Sequence, residues 1–397
     1  MSTNQVKGNV AVSNADGSAT QAYLDRGNRL YAEVDPYMPG MTRKEAAAQA
    51  NTTPDRIAKL SSNENPLGPS LQAVAAVESM TGMLHEYPDP LASELRKALG
   101  EYLDVSADQV VVGGGSSTLM HAIVDAFTVA GGEIISLDPG FTVYPEISII
   151  HGRIPKKIGL RESDFLLDLD ELERAITPDT QLIFLTRPNN PTSTLIPIDD
   201  FATAARMAAE VGALVVSDEA YIEFSDIPGQ SAVELLHKDP DTYHNVMFTR
   251  TMSKAFGLAN MRLGYAVASP EVAGCLALAN AKWPTGAVAQ AAGVAALNDK
   301  AHLQETLRVV SHERQRITDA FNKMGLPVAP GQQGNYIMVD VQPSGLSAEA
   351  FSENVFKMGK ALIRGDFSPR YVRISIGLGE ENDRVLEAAD AIKQQHG

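Results

Sequence analysis

Ala213-Leu214-Val215-Val216-Ser217 runs without a charged side chain and then meets two carboxylates, Asp218-Glu219. A strand that is apolar at consecutive rather than alternate positions is buried on both faces, as in a parallel sheet with helices above and below. The segment before it, Ile198 to Val211, is amphipathic at helical spacing, and before that lies a second apolar run, Leu182-Ile183-Phe184-Leu185. The same rhythm extends outward in both directions. Upstream are Val110-Val111-Val112 and Glu133-Ile134-Ile135-Ser136-Leu137; downstream are Val246-Met247-Phe248-Thr249 and Leu263-Gly264-Tyr265-Ala266-Val267. Strands alternating with helices predict an α/β fold, a mostly parallel sheet flanked by helices, and put any ligand at the carboxyl ends of the strands.

Trp283-Pro284 interrupts this rhythm, and the Ala-rich stretch from Val288 to Met324 reads as one or two long helices. Beyond it, Asn335 to Val341 and Arg373 to Ile376 read as strands of a smaller α/β unit. The expected organisation is a mobile tail over 1–22, a large ligand-binding domain over 61–284, and a small domain made of an N-terminal arm, 23–60, with 285–397. The tail is assigned because Asn, Ser, Thr, Gly and Ala dominate it and bury too little to offset their ordering entropy.

Composition narrows the function. The 397 residues carry 33 basic and 49 acidic side chains, a formal charge of −16, which repels nucleic acid phosphates and anionic membranes. Any anionic ligand therefore needs a local positive pocket. The single cysteine, Cys275, excludes an intrachain disulfide and a multi-cysteine zinc site, and fits the cytoplasm. No apolar run is long enough to span a bilayer, and Met1 to Thr20 lacks the pattern of a secretory signal. The eight histidines show no metal-ligand spacing, His237 and His244 reading as surface residues, so no metal is expected.

Four polar clusters follow strand-like runs. Gly113-Gly114-Gly115-Ser116-Ser117-Thr118 precedes a helix-like run beginning near Leu119; its glycines let backbone amides approach a phosphate, although the lysine of a Walker loop is missing. Pro188-Asn189-Asn190-Pro191-Thr192 has turn composition, and Asp218-Glu219-Ala220-Tyr221 has carboxylates that could simply cap a helix. Thr251-Met252-Ser253-Lys254-Ala255-Phe256-Gly257, followed by Arg262, sets a lysine between small and apolar neighbours, where a desolvated amine is a candidate nucleophile.

In this order the four clusters resemble the fold-type I, pyridoxal-phosphate-dependent aminotransferases of class I/II, and in particular the histidinol-phosphate aminotransferase branch. Pro36-Tyr37-Met38-Pro39-Gly40, Ser62-Asn63-Glu64-Asn65-Pro66-Leu67-Gly68-Pro69, Tyr87-Pro88-Asp89, Arg364 and Arg373 carry the resemblance further, from about Tyr37 to the C-terminus. It implies that the large domain holds pyridoxal 5'-phosphate, with Lys254 as the Schiff-base amine and proton shuttle. Asp218 would pair with the pyridine nitrogen, Asn190 and Tyr221 would donate to the 3-hydroxyl oxygen, and Phe141 would stack on the ring. The phosphate would rest on the amides of Ser116 and Ser117, on Thr251, Ser253 and Arg262, and on Tyr87 from a partner subunit, which makes a homodimer with shared active sites the expected assembly.

For the substrate, the resemblance implies that Arg373 grips the α-carboxylate, near Asn190, and that Arg364 and Tyr37 help bind the phosphate of histidinol phosphate. Three features depart from that branch: Ser117-Thr118 where Asp-Glu is usual, Ser193 where glycine follows Asn-Pro-Thr, and a short segment between Arg364 and Arg373. Arg187 and Arg370 are further cations near the expected site, and Trp283 reads as a hinge or interface residue. The expected reaction carries an amino group from an amino acid or a histidinol-phosphate-like donor to a 2-oxo acid, 2-oxoglutarate by family analogy. Other readings are an aromatic or other amino-acid aminotransferase of a secondary pathway, a decarboxylase or lyase on the same fold, and a non-catalytic binding protein; carbon dioxide or ammonia without keto acid, or a chain that takes up no cofactor, would identify the last two.

Overall fold

A computed structural model describes Val34 and residues 40–396. The expected tail over 1–22 and Tyr37 lie outside the described residues. A short strand β1 (Ala58–Lys59) precedes the strands β2 (Val110–Gly113), β3 (Glu133–Asp138), β4 (Ile154–Gly159), β5 (Thr180–Thr186), β6 (Leu214–Asp218), β7 (Val246–Thr251) and β8 (Gly264–Val267), and β2 to β8 form one seven-stranded sheet in the order β2-β8-β7-β6-β5-β3-β4. All pairings are parallel except those of β8, which runs antiparallel to both β2 and β7.

The consecutive apolar residues divide between two faces. Leu182, Phe184, Leu214, Val216, Met247 and Ala266 point to one side and pack under the helices Ser116–Phe127, Val143–Ile150 and Pro270–Ala279. Ile183, Leu185, Val215, Val246, Phe248 and Val267 point to the other, beneath Ser93–Leu103, Ile198–Ala209 and Ala287–Asn298. Two corrections to the sequence reading emerge. The helix expected near Leu119 begins at Ser116, so its free first-turn amides stand directly after the glycines. Strand β4, which the apolar-run criterion passed over, is an edge strand carrying Pro155 and two lysines, features that blunt an edge.

The Ala-rich stretch forms two helices, Ala287–Asn298 and Lys300–Lys323. After them β9 (Tyr336–Asp340) pairs antiparallel with β11 (Tyr371–Ser375), while β10 (Ala361–Leu362) lies parallel to β1. The backbone amide of Leu60 donates to Leu362 O and that of Ser375 to Leu60 O, so residues 60–63 are strapped to this second unit as they cross the mouth of the large sheet.

Candidate active site

The carboxyl ends of β2, β3, β5, β6 and β7 open into one cavity of about 350 Å³, whose walls include Ser116, Phe141, Thr186, Asp218, Thr251 and Lys254. Four cations line it, Lys254, Arg262, Arg364 and Arg373, against two carboxylates, Asp218 and Glu64. A chain of strongly negative charge thus builds the local positive pocket that an anionic ligand requires.

One end is an anion cup. Gly115 caps the helix Ser116–Phe127 without a side-chain hydrogen bond, leaving first-turn amides available. The glycines are there for space: a Cβ on Gly264 would come within 2.3 Å of Ser116 N, and one on Gly115, at φ 97°, within 2.5 Å of Arg262 Nη2. Thr251 Oγ1 donates to Ser253 Oγ at 2.8 Å, and Arg262 Nη1 reaches Ser253 Oγ at 3.4 Å. Arg262 has no carboxylate partner among the described residues.

At the floor, Asp218 ends β6 buried among hydroxyls. Tyr144 Oη donates to Asp218 Oδ2 at 2.6 Å, and Ala220 N and Thr249 Oγ1 approach Oδ1 at 3.3 Å. No Lys, Arg or His forms an ion pair with it among the described residues. Burial pushes its carboxyl up to about 6, against the lowering hydrogen bonds from Tyr144, Ala220 and Thr249. A buried carboxylate without a cation calls for a positively charged ligand atom.

Lys254, which follows β7, donates from Nζ to Ser62 O at 2.9 Å and stands 5.7 Å from the centre of the Tyr221 ring. Burial, then the nearby charge of Arg373, lowers its amine to about 8, so a substantial neutral fraction exists near neutral pH. Tyr221 packs edge-on against Tyr336 at 4.9 Å, and its hydroxyl accepts from Asn63 Nδ2 at 3.2 Å. Arg373 Nη1 donates to Asn190 Oδ1 and Nη2 to Ser61 O, both at 2.6 Å, and its buried Nε has no partner among the described residues. Phe141 lines the cavity, edge-on to Tyr144.

Of the residues singled out in the sequence, Ser116, Ser117, Phe141, Asn190, Asp218, Tyr221, Thr251, Ser253, Lys254, Arg262, Arg364 and Arg373 line one cavity. Tyr87 does not line it: the side chain is exposed, its ring 5.4 Å from that of Trp283. Neither extra arginine touches the cavity. Arg187 is buried behind it, 3.7 Å from Glu219 and donating to Ile196 O and Gln230 O, while Arg370 faces away to Asp340 at 2.7 Å. Ser193, standing where glycine is usual, takes φ 61° and accepts from Gly334 N at 2.8 Å, a bond that compensates the strained backbone. Arg364 donates from Nε to Asp366 at 2.8 Å. Sequence reasoning missed Tyr144, Thr186, Asn63 and Asp366; Asn63 lay inside the quoted Ser62–Pro69 motif, whereas Tyr144 has the signature of an ordinary core aromatic.

The family model for aminotransferase class I and II matches residues 55–392. A histidinol-phosphate aminotransferase of Anaeromyxobacter sp. is 36% identical over 364 residues, covering 91% of this chain and 97% of that protein; one from Akkermansia muciniphila is 37% identical, covering 91% and 96%. Among solved structures, the histidinol-phosphate aminotransferase of Sinorhizobium meliloti in complex with pyridoxal-5'-phosphate superposes with a TM-score of 0.81 at 24% identity, covering 94% of this chain and 98% of that one. The chain belongs to the class I and II aminotransferase family. It is an enzyme of the pyridoxal-phosphate-dependent, fold-type I kind.

Proposed function

We propose that this enzyme transfers the amino group of an amino acid or a histidinol-phosphate-like amine to a 2-oxo acid, 2-oxoglutarate being the expected acceptor, with Lys254 as the covalent anchor and base. The observation that carries this reading is the pairing, across one cavity, of a buried lysine amine lowered to about 8 with a buried carboxylate that lacks a cation. Pyridoxal phosphate fits both ends, an aldehyde for the amine and a ring nitrogen for the carboxylate, and its phosphate fits the amide and Arg262 cup. When bound, it supplies an electron-withdrawing ring that takes up the electron pair released at the donor's α-carbon.

The chain's own residues do the rest. The amides of Ser116 and Ser117, the hydroxyls of Thr251 and Ser253 and the Arg262 guanidinium hold the phosphate. Asp218 would hold the proton at the cofactor's ring nitrogen, Phe141 would cover its ring, and Asn190 and Tyr221 would donate hydrogen bonds to its ring hydroxyl oxygen. Arg373, with an unpartnered Nε, orients the donor carboxylate and so selects which α-carbon bond meets the base. Lys254 Nζ would hold the cofactor's aldehyde carbon and, as a neutral amine, would take the proton from the donor's α-carbon. A donor screen read as glutamate formed from 2-oxoglutarate tests this; carbon dioxide released with the corresponding amine, or free ammonia released with no glutamate formed, would replace transfer by decarboxylation or elimination.

Arg364 is the specificity element of this reading. Arg364→Ala is expected to lower kcat/KM for histidinol phosphate by about a hundredfold, the scale of a lost charge-assisted hydrogen bond, and to change a neutral amino acid donor little. Equal losses for both donors would contradict a phosphate role. The assembly is proposed to be a cytoplasmic homodimer, the lone cysteine fitting a reducing compartment. Tyr87 and Trp283 are both large and exposed and pack on each other, and a Cβ on Gly114 in the cup would meet Pro284 O at 3.2 Å, so this aromatic pair adjoins the cup. If Tyr87 of the partner subunit completes the phosphate site, mixing Tyr87→Phe with Lys254→Ala subunits restores activity that neither has alone; no recovery after subunit exchange would contradict shared sites. The division into a large unit, 61–284, and a smaller one, 23–60 with 285–397, is part of the same proposal, supported by the separate β9/β11 and β1/β10 sheets.

A further inference from the structure

We propose that Tyr144 is a positioning residue of the reaction: its hydroxyl keeps Asp218 ionised and aimed, while its ring sets the attitude of Phe141. The inference rests on the reading that Asp218 faces the ring nitrogen of the cofactor.

Tyr144 belongs to the helix Val143–Ile150 and is buried. Its ring lies flat on Phe184 of β5, with centroids 4.5 Å apart and planes 10° from parallel, so the sheet fixes its position. Its edge meets Phe141 at 5.5 Å and 85°, and its oxygen lies 2.6 Å from Asp218 Oδ2 and 2.9 Å from Thr186 Oγ1. One side chain thus touches both the residue placed over the ring face and the residue placed at the ring nitrogen.

The hydrogen bonds to Asp218 are unequal. The two contacts on Oδ1, from Ala220 N and Thr249 Oγ1, are long at 3.3 Å, and among the described residues the one short bond is that from Tyr144. Burial and the charge of Asp218 hold the Tyr144 phenol protonated, so it donates. The ionisable groups that bear on Asp218 are Tyr144, the neighbouring Glu219 and Tyr336, and Tyr221 bears in turn on Tyr144. Glu219 is itself engaged by Arg187 and Arg250. Burial already favours the neutral carboxyl; without the phenol the balance moves further that way, and a protonated Asp218 cannot hold a ring N–H⁺.

The test is a double-mutant cycle on Tyr144→Phe and Asp218→Asn. The phenylalanine keeps the stack on Phe184 and the edge on Phe141 and removes only the donor. Tyr144→Phe is expected to raise the dissociation constant of pyridoxal phosphate by about ten- to a hundredfold, as for a lost hydrogen bond to a charged group, and to lower kcat with little change in donor KM. In the Asp218→Asn background the same substitution is expected to have no further effect on cofactor binding. The cofactor-free chain gives a second readout: its melting temperature, which falls as pH rises toward the Asp218 pKa, should keep falling to higher pH in Tyr144→Phe. Wild-type cofactor affinity and kcat in Tyr144→Phe, an equal loss in the Asp218→Asn background, or an unmoved melting profile would each overturn the proposal. Asp218→Asn that itself binds and turns over like wild type would instead remove the reading beneath it.

Discussion

Lys254→Ala is expected to lower kcat by at least about ten-thousandfold at saturating cofactor, while weakening cofactor binding far less. The asymmetry follows from the division of labour in the cavity. Arg262, the amides of the helix Ser116–Phe127 and Asp218 all remain to hold the cofactor noncovalently. What disappears is the amine at the reacting centre, which serves as both base and anchor, and a positioned base alone contributes about a hundred- to ten-thousandfold. Because the missing group is a small buried amine, added methylamine should restore part of the rate, increasingly so as pH rises and the free amine becomes neutral. Retention of kcat within tenfold of wild type would remove Lys254 from the chemistry.

Asp218→Asn is expected to act in opposite directions on activity and stability. Turnover should fall by about a thousandfold, the cost of breaking a buried charge pair at about 4 kcal/mol. Yet the cofactor-free protein should become more stable near pH 8. The sign follows from linkage: the Asp218 carboxyl is raised to about 6 in the fold from 3.8, so the folded chain binds a proton that the unfolded chain has released. Stability on this account declines as pH rises from about 4 to 6, and above 6 the full penalty stands, on the order of 3 kcal/mol for a fully buried group. A neutral amide avoids that penalty, so the melting temperature of the cofactor-free variant at pH 8 should exceed that of wild type by a few degrees, and the gap should close below pH 4. A lower melting temperature at pH 8, or wild-type turnover, would contradict the assignment.

The sheet was legible because its central strands are apolar on consecutive residues, a pattern that only burial on both faces explains. The site was legible to the extent that its residues follow those strands directly: Asp218 closes β6, and Lys254 and Arg262 follow β7. Strand β4 escaped because an edge position relaxes the apolar requirement and admits Pro155, Lys156 and Lys157. The first turn at Ser116 escaped because glycine and serine read as loop, although a helix start with free amides is what an anion needs. Tyr144 and Arg187 escaped for opposite reasons. A lone tyrosine in a helix looks like packing and turns out to touch Asp218; an arginine beside the Asn-Pro motif could be a solvated side chain or a ligand group, and turns out to be buried against Glu219. Both depend on contacts between distant segments, which no local pattern encodes.

The most direct measurement is to reduce the pyridoxal-phosphate-loaded enzyme with borohydride, digest it, and find by mass spectrometry which peptide carries the added pyridoxyl group. The expected result is a single modified peptide, labelled at Lys254, with the visible absorbance lost in proportion and the label gone in Lys254→Ala. Label on another lysine, or a protein that takes up no cofactor and acquires no added mass, would contradict the assignment of this cavity.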